Sequence, residues 1–473
     1  MADLPSTPDP RFPDGFLWGA ATSAQQIEGA PHAGGRGESI WDRFAANPGN
    51  IADGSDTTTA CDHYHQWEDD VALMRRLGLG AYRFSIAWPR IQPTGRGRSN
   101  AAGLAFYDRL VDALLEVGIE PFPTLYHWDL PQALQDRGGW AERATAEAFV
   151  EYAAIVVRHL GDRVQRWVTH NEPWCIAVLG HEEGHHAPGH RDPAEALRVA
   201  HHLLLSHGWA TAAIGRERPG AEVGIVHNLC PAYAATDSDG DRDAARWFDG
   251  FFNRWYLDPL FRGAYPDDAV ADRIAAGHLP GPDLPFVQPG DLAAIAAPLD
   301  FLGINYYSRA VLEAGPDGRP RAVPPGPDTP VTDMGWEVYP TGLHEGLLRV
   351  HRDYGPRRVY IAENGAAYED PVGPDGRIVD TRRLQYLRGH LAAARAALAD
   401  GVPLAGYFLW SLLDNFEWGY GYTKKFGLYA LEPGTLRRLP RDSAAWYRDV
   451  IAANALPEPD APPTRGDRRA FDP

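Results

Sequence analysis

The chain has 473 residues, and 45 Lys and Arg against 63 Asp and Glu leave a net charge of −18. An acidic chain offers little clustered cationic surface for a polyanion, so nucleic acid is excluded as a partner. The only three cysteines, Cys61, Cys175 and Cys230, show no CxxC spacing and exclude both a disulfide scaffold and a cysteine-based zinc finger. The opening residues MADLPSTPDPRFPDGF have no basic segment ahead of an apolar core. The densest apolar run, LAGYFLWSLL at 404–413, is far below a membrane span. The expectation is a reduced, cytoplasmic protein with no membrane partner. The sequence carries no signal for an oligomeric state.

In chain order, short apolar segments read as strands at 16–24, 81–88, 120–127, 166–173, 222–229, 300–307, 359–365 and 404–411. Helical periodicity follows most of them, as at 69–79, 105–118 and 146–161. Gly118 and Gly161 stand where helices end, positions that favour a left-handed cap. Strands alternating with helices pair in parallel through right-handed crossovers, and eight such units predict a single closed (β/α)8 barrel, an α/β TIM barrel with extended βα loops. A doubly wound open sheet is the alternative, but no G-x-G-x-x-G follows the first strand. The barrel is assigned to 14–455, with tails at 1–13 and 456–473 and a long Pro-rich loop at 315–330.

In such a barrel the C-terminal ends of the strands carry the chemistry. Polar and aromatic residues gather there: Gln26 with Glu28, Arg83, His127 with Trp128 and Asp129, Asn171 with Glu172, Asn228, Asn305 with Tyr307, Glu363 with Asn364, and Trp410. A strand-end glutamate on its own is most often a cap or an ion-pair partner; the convergence on one rim is what points to a site. Glu172 and Glu363 form a carboxylate pair, the minimal equipment for glycoside hydrolysis. One must be protonated to assist the leaving oxygen while the other is ionised, so their surroundings must separate their pKa values. Arg83 and Tyr307 are placed to hold Glu363 as the anion, and that anion would keep Glu172 protonated near neutrality.

THNEP at 169–173 and IAENG at 361–365 resemble the two active-site motifs of glycoside hydrolase family 1, the β-glucosidase family, in its bacterial form. The resemblance extends over FLWGAATSAQQIEGA (16–30), YRFSIAWPRI (82–91), LYHWDLPQAL (125–134), NRWYLDPLFRGAYP (253–266), FLGINYY (301–307), MGWEVYP (334–340) and LWSLLDNFEWGYGYTKKFGL (409–428). It implies that Glu172 is the acid/base and Glu363 the nucleophile of a retaining β-glycosidase acting on terminal β-D-glucosyl residues of cellobiose, oligosaccharides and aryl or alkyl glucosides. Activity would extend to β-galactosides and β-fucosides. Asn171 matches the residue that binds the sugar 2-hydroxyl, and Gln26, His127, Glu417 and Trp418 match the ring around the other hydroxyls. Trp410 matches the platform under the sugar, and Trp336, Trp174 and Phe426 match aromatic residues at the pocket or its mouth. Trp128, Asn305 and Tyr307 complete the expected set. No cofactor or metal is implied.

Three positions depart from the family pattern: Gln25 stands where Tyr is common, His170 replaces an apolar residue, and Ala362 replaces Thr. Gln25 neighbours Gln26 and should point the opposite way along a strand. Two alternatives are weighed. A 6-phospho-β-glucosidase would lack the carboxylate at Glu417, and only Lys424 and Lys425 speak for a phosphate. A non-catalytic sugar-binding barrel would lose one of the two glutamates, and both are present.

Two metal-like motifs are set aside. His181 to His185 match HExxH formally, but Gly180, Gly184, Pro188 and Gly189 oppose the helix that zinc chemistry needs, and a loop over the barrel mouth is expected. The run Asp237, Asp239, Asp241, Asp243 has its glycine too early for an EF-hand and Phe248 at the twelfth position, so it reads as an acidic helix start. His63 and His65 are expected to be structural hydrogen-bonding residues.

Overall fold

The computed structural model describes residues 11–457 apart from Asp317. Eight strands form the barrel: β1 (Leu17–Ala21), β2 (Ala81–Ser85), β3 (Glu120–Tyr126), β4 (Arg166–Asn171), β5 (Glu222–Asn228), β6 (Phe301–Asn305), β7 (Val359–Asn364) and β8 (Leu404–Trp410). Every neighbouring pair is parallel, and β1 closes the sheet by pairing with β2 at Gly19↔Ala81 and with β8 at Leu17↔Gly406. The open-sheet alternative is thereby excluded.

Eight helices are the principal outer elements: α1 (His63–Leu77), α2 (Ala101–Glu116), α3 (Arg143–Leu160), α4 (Pro193–Glu217), α5 (Asp239–Asp249), α6 (Pro340–Tyr354), α7 (Thr381–Ala399) and α8 (Asp442–Ala453). Gly118 follows α2 at φ +78°, as its position predicts. Gly161 does not: it caps α3 at φ −70°, in the right-handed region. Its constraint is space, since a Cβ there would lie 2.4 Å from the Val157 carbonyl oxygen.

The barrel floor is an aromatic plug. Phe122 packs against Phe301, Tyr360 and Phe408 with ring centroids 5.0–5.4 Å apart. Room for these rings comes from glycines on adjacent strands: a Cβ on Gly19 would meet the Phe408 ring at 2.4 Å, and one on Gly224 the Phe301 ring at 2.4 Å. With the lower barrel filled by aromatic rings, the polar layer that includes Arg83, Asn171, Asn305 and Glu363 is confined to its upper end.

The 315–330 segment is less irregular than expected. Pro320–Ala322 pairs antiparallel with Ala310–Ala314, which also pairs with Ala232–Ala234. A second hairpin joins Tyr429–Leu431 to Arg438–Pro440. The assigned N-terminal tail runs too far: Phe12 is buried against Phe16 and Trp18, and Arg11 bridges to Ala455. Residues 1–10 and 458–473 of the two assigned tails lie outside the described residues.

Candidate active site

Glu172 follows the last residue of β4, and Glu363 is the penultimate residue of β7. Glu363 stands at a register shift, between Ile361 and Glu363 on β7, and Glu172 directly follows one, between Val168 and Asn171 on β4. Such bulges break the alternation of a strand and re-aim a side chain. At Glu172 the backbone also turns to φ +48°, a conformation that L-residues avoid. The result is that Asn171 and Glu172, although adjacent, both reach Asn305: its Nδ2 donates to Asn171 Oδ1 at 3.1 Å and to Glu172 Oε1 at 2.7 Å. Trp128 and Trp418 also have positive φ, +79° and +48°. Three bulky residues in strained backbone at one rim are a pattern associated with functional sites.

The two carboxyl groups have different partners. Glu363 Oε1 accepts from Arg83 Nη1 at 2.5 Å, and Glu363 Oε2 accepts from the Tyr307 hydroxyl at 2.7 Å. Arg83 is fully buried, and its other arm donates to Asn171 Oδ1 at 2.7 Å. Glu172 has the Asn305 amide on one oxygen and the Cys175 thiol, at 3.0 Å, on the other. Burial first, and then the negative charge of Glu363, raise the Glu172 carboxyl to about 7. Burial and the same charge hold the Tyr307 hydroxyl far above its ordinary range, so it donates.

An aromatic wall stands beside this pair. The His127 ring is stacked between Trp410 at 6.0 Å and Trp418 at 5.9 Å, and Trp418 lies 4.4 Å from Trp128. Burial and the Arg83 charge push His127 well below its ordinary pKa, so the ring is neutral. Trp128 Nε1 donates to the Asn171 carbonyl at 2.9 Å. On the other side Tyr307, Trp336 and Phe426 pack together with centroids 5.3–6.4 Å apart. Gln26 Nε2 donates to Asn415 Oδ1 and to the Phe416 carbonyl, fixing the segment that presents Glu417. Burial, followed by the charges of Glu363 and Glu172, raises Glu417 to about 8.

Several shielded polar atoms here have no partner among the described residues: His127 Nδ1, Asn228 Oδ1, Asn305 Oδ1 and Glu417 Oε2. Shielded polar atoms are costly unless hydrogen-bonded, so their collection beside flat aromatic rings suits a ligand that is polar at its edges and apolar on its faces. A pyranose has that character.

Other rim residues turn away. Glu28 is held by Arg90 and the Tyr107 hydroxyl, and Asn364 bonds Tyr306 and Tyr407. Asp129 is buried near Arg36 and Glu28, and neither of its oxygens meets a donor from another residue. Trp174 packs on Phe252 at 4.2 Å. Gln25 does diverge from Gln26, but within the short helix Ala24–Ile27 rather than along a strand, and it bonds Asp42 and Thr57. His170 lies between β4 and the outer helices, stacked 4.4 Å from Phe149 and bonded to Ser206, so it does not face the pocket.

Lys424 Nζ donates to the Asp333 carbonyl at 2.6 Å, and Lys425 lines a separate cleft with Asp56, Tyr422 and Glu432. The HExxH histidines do not converge: His185 pairs with Glu183 near the surface, whereas buried His181 shares Glu195 Oε1 with His190, each at 2.6 Å. Their segment is a π-helix over Cys175–Glu182, where a loop was expected. Asp237 to Asp243 lead into α5, capped by Ser238, and His63 and His65 bond Asp70 and Asp62.

Two neighbours of the site were not singled out from sequence. Cys175 gave a signal only in its spacing, three residues after Glu172. His186, whose ring lies 5.2 Å from Trp41 and 5.4 Å from Trp128, braces the aromatic wall from the following loop and gave none.

A sequence model described as Glycosyl hydrolase family 1 matches residues 9–456. The chain is 47% identical over 448 residues to Beta-glucosidase A of Acetivibrio thermocellus, covering 94% of this chain and 99% of that protein. It is 43% identical over 465 residues to the Bifunctional beta-D-glucosidase/beta-D-fucosidase of Bifidobacterium breve, covering 93% and 98%. Among solved structures, the family 1 β-glucosidase of Thermotoga maritima superposes with a TM-score of 0.91 at 45% identity, covering 96% of this chain and all of that one.

Proposed function

The chain belongs to glycosyl hydrolase family 1, and from that premise we propose that it is a retaining β-glucosidase in which Glu363 is the nucleophile and Glu172 the acid/base. The observation that carries this reading is the unequal binding of the two carboxyls. Arg83 and Tyr307 both donate to Glu363, whereas burial raises the Glu172 carboxyl to about 7.

In the first half-reaction a Glu363 oxygen bonds to the anomeric carbon as the bond to the leaving oxygen breaks, and Glu172 gives that oxygen its proton. In the second half-reaction ionised Glu172 takes a proton from water. The resulting hydroxide oxygen bonds to the anomeric carbon and Glu363 leaves, which restores both groups. Asn171, fixed by Arg83 and Asn305, is placed to meet the 2-hydroxyl. Trp410 underlies the ring, while Gln26, His127, Glu417 and Trp418 bind the remaining hydroxyls. Trp336 and Phe426 form the mouth.

The substrates are terminal β-D-glucosyl residues of cellobiose, oligosaccharides and aryl or alkyl glucosides. The Bifidobacterium breve relative is named for glucosides and fucosides together, which supports extension to β-fucosides, and the same hydroxyl-binding set accommodates β-galactosides. Three unpaired cysteines fit a reducing, cytoplasmic setting. For the phosphorylated alternative, Lys424 is committed to Asp333 and Glu417 supplies no cation for a sugar phosphate.

The test is kcat/KM across nitrophenyl β-glucoside, β-galactoside, β-fucoside and β-glucoside 6-phosphate, with NMR of the first-formed sugar. Preference for an unphosphorylated sugar and initial release of the β-anomer are expected. Initial release of the α-anomer would remove the nucleophile assignment, and preference for the phosphate would remove the substrate assignment.

A further inference from the structure

Glu172 must alternate between acid and base, so the groups around it have to suit both states. Asn305 can only donate to Oε1 from its amide nitrogen. Oε2 faces the Cys175 sulfur at 3.0 Å, and behind that sulfur stands the Asn228 amide, with Nδ2 at 3.6 Å and an Oδ1 that is buried and unpartnered. Unlike a backbone N–H or an amide nitrogen, a thiol both donates and accepts.

We propose that Cys175, backed by Asn228, is a positioning residue for the acid/base, its thiol donating to ionised Glu172 and accepting from the protonated acid. This rests on the assignment of Glu172 as acid/base. When Glu172 is ionised, Sγ–H points to Oε2 and Asn228 Nδ2 donates to the sulfur. When Glu172 carries its proton on Oε2, that O–H points to the sulfur and Sγ–H turns away from the carboxyl, while Asn228 Nδ2 stays 3.6 Å from the sulfur. No proton leaves the thiol in either state, because burial and the neighbouring Glu172 charge hold it far above its ordinary pKa. The side chain acts by orienting Oε2 and by favouring the anion that the second half-reaction needs.

Local geometry supplies the placement. Cys175 N–H donates to the Glu172 carbonyl at 3.0 Å, and Cys175 opens the π-helix that runs to Glu182. That turn brings the i+3 side chain back over the carboxyl, and positive φ at Glu172 lifts the carboxyl to meet it.

Other groups act on the same titration. Glu363 raises the Glu172 carboxyl from β7 and Arg83 lowers it from β2. Tyr307 and Glu417 are coupled to it by charge across the pocket, Glu183 acts on the thiol from the end of the π-helix, and His127 is neutral. All of these stay in place when only the thiol is changed, so a substitution at 175 isolates its own contribution.

The experiment is the pH profile of kcat/KM for nitrophenyl β-glucoside with the wild type, Cys175→Val, Cys175→Ser and Glu172→Gln. Cys175→Val removes donor and acceptor at nearly constant volume. Its alkaline limb should move up by about half to one pH unit, the effect of losing one hydrogen bond to the anion. Turnover of the dinitrophenyl glucoside, limited by the second half-reaction, should fall about 3- to 10-fold, reflecting the same lost hydrogen bond. Cys175→Ser retains both hydrogen-bonding roles and should place the limb at or below the wild-type position. A limb within about 0.1 unit of wild type in folded Cys175→Val, or a Ser variant that tracks Val, overturns the proposal and leaves sulfur as packing. Glu172→Gln separates this failure from that of the premise: its alkaline limb should vanish, and persistence of the limb there would instead overturn Glu172 as acid/base.

Discussion

Arg83 and Glu363 form an ion pair in which both side chains are almost wholly buried, at 0% and 4% exposure. The guanidinium spans the pocket floor, one arm on Glu363 and the Ala362 carbonyl, the other on Asn171. One cation thus fixes both Glu363, the proposed nucleophile, and Asn171, the proposed partner of the 2-hydroxyl. Removing one member of such a pair leaves an uncompensated buried charge, worth about 3–5 kcal/mol. Arg83→Met should lower kcat for aryl glucosides by about 10²- to 10³-fold. Arg83→Lys should recover little, since an ammonium cannot span both partners in the fixed geometry of a guanidinium. Steady-state kinetics of the two variants check this, and near wild-type turnover in the Met variant would be incompatible with the arrangement.

The raised Glu172 carboxyl sets a pH dependence of activity. A protonated acid is needed to assist a poor leaving group, so kcat/KM for alkyl glucosides should decline as pH rises through about 7. A dinitrophenolate leaves without a proton, and its first half-reaction should decline far less over the same range. Parallel profiles for the two leaving groups would show that some other group controls the limb.

Stability should follow pH in the same direction. Glu172 at about 7, and Asp129 and Glu417 at about 8, all titrate above their unfolded values of about 4. Between those limits the folded protein holds more protons than the unfolded chain. The stability these groups contribute is therefore complete below about pH 4 and lost as pH rises through 7 to 8. Asp129 lies outside the pocket and tests this without touching catalysis. Asp129→Asn should raise Tm by a few degrees at pH 8.5 relative to wild type and change it little at pH 5. An equal shift at both pH values would mean that the effect is not ionisation.

The barrel was legible because strand and helix periods alternate through the whole chain, and the eight strands fall where apolar segments stand. Glu172 and Glu363 were legible as a pair because they end two such segments. The bulges that aim them were not, since a register shift depends on the neighbouring strand and leaves no mark in the local sequence. Glu28, Asp129 and Asn364 carry the same strand-end signature as Asn171, yet partners or burial outside the pocket hold them. Gln25 and Gln26 were read on a strand and stand on a helical turn, where adjacent side chains diverge by about 100° instead of alternating. The π-helix at Cys175–Glu182 was hidden by Gly180, which opposes an α-helix but gives room where the chain folds back, since a Cβ there would lie 2.7 Å from the Ala187 carbonyl oxygen.

In the proposed function Glu417 is the residue that discriminates between substrates. Its shielded Oε2 has no partner among the described residues, and its carboxyl is raised to about 8, so at neutral pH it is mostly protonated and can both donate to and accept from hydroxyl groups. A phosphate on the 6-position would bring its charge into a pocket that already holds the Glu363 charge, beside a carboxyl that offers it no cation. Glu417→Ser should cut kcat/KM for nitrophenyl β-glucoside about 10²-fold or more, in line with leaving buried hydroxyls unpaired. The ratio of phosphorylated to unphosphorylated substrate should rise. A ratio unchanged from wild type would place the 6-position away from residue 417.

The aromatic plug makes a prediction about packing alone. A Cβ on Gly224 would come within 2.4–2.5 Å of the Phe301 ring and of its carbonyl oxygen, far inside contact distance. Phe301 cannot swing aside, because its other flanks meet Phe122 at 5.4 Å and Tyr360 at 5.3 Å. Overpacking in a filled interior costs about 1–3 kcal/mol. Gly224→Ala should therefore lower Tm by about 1–3 °C at a fixed scan rate and hasten thermal inactivation. Phe301→Leu in the same chain removes ring atoms from the point of collision but leaves the backbone oxygen. The double variant should consequently be more stable than the sum of the two single losses, without returning to wild type. Strict additivity would mean that the ring and the added methyl do not meet, and that the glycine serves only the backbone of β5.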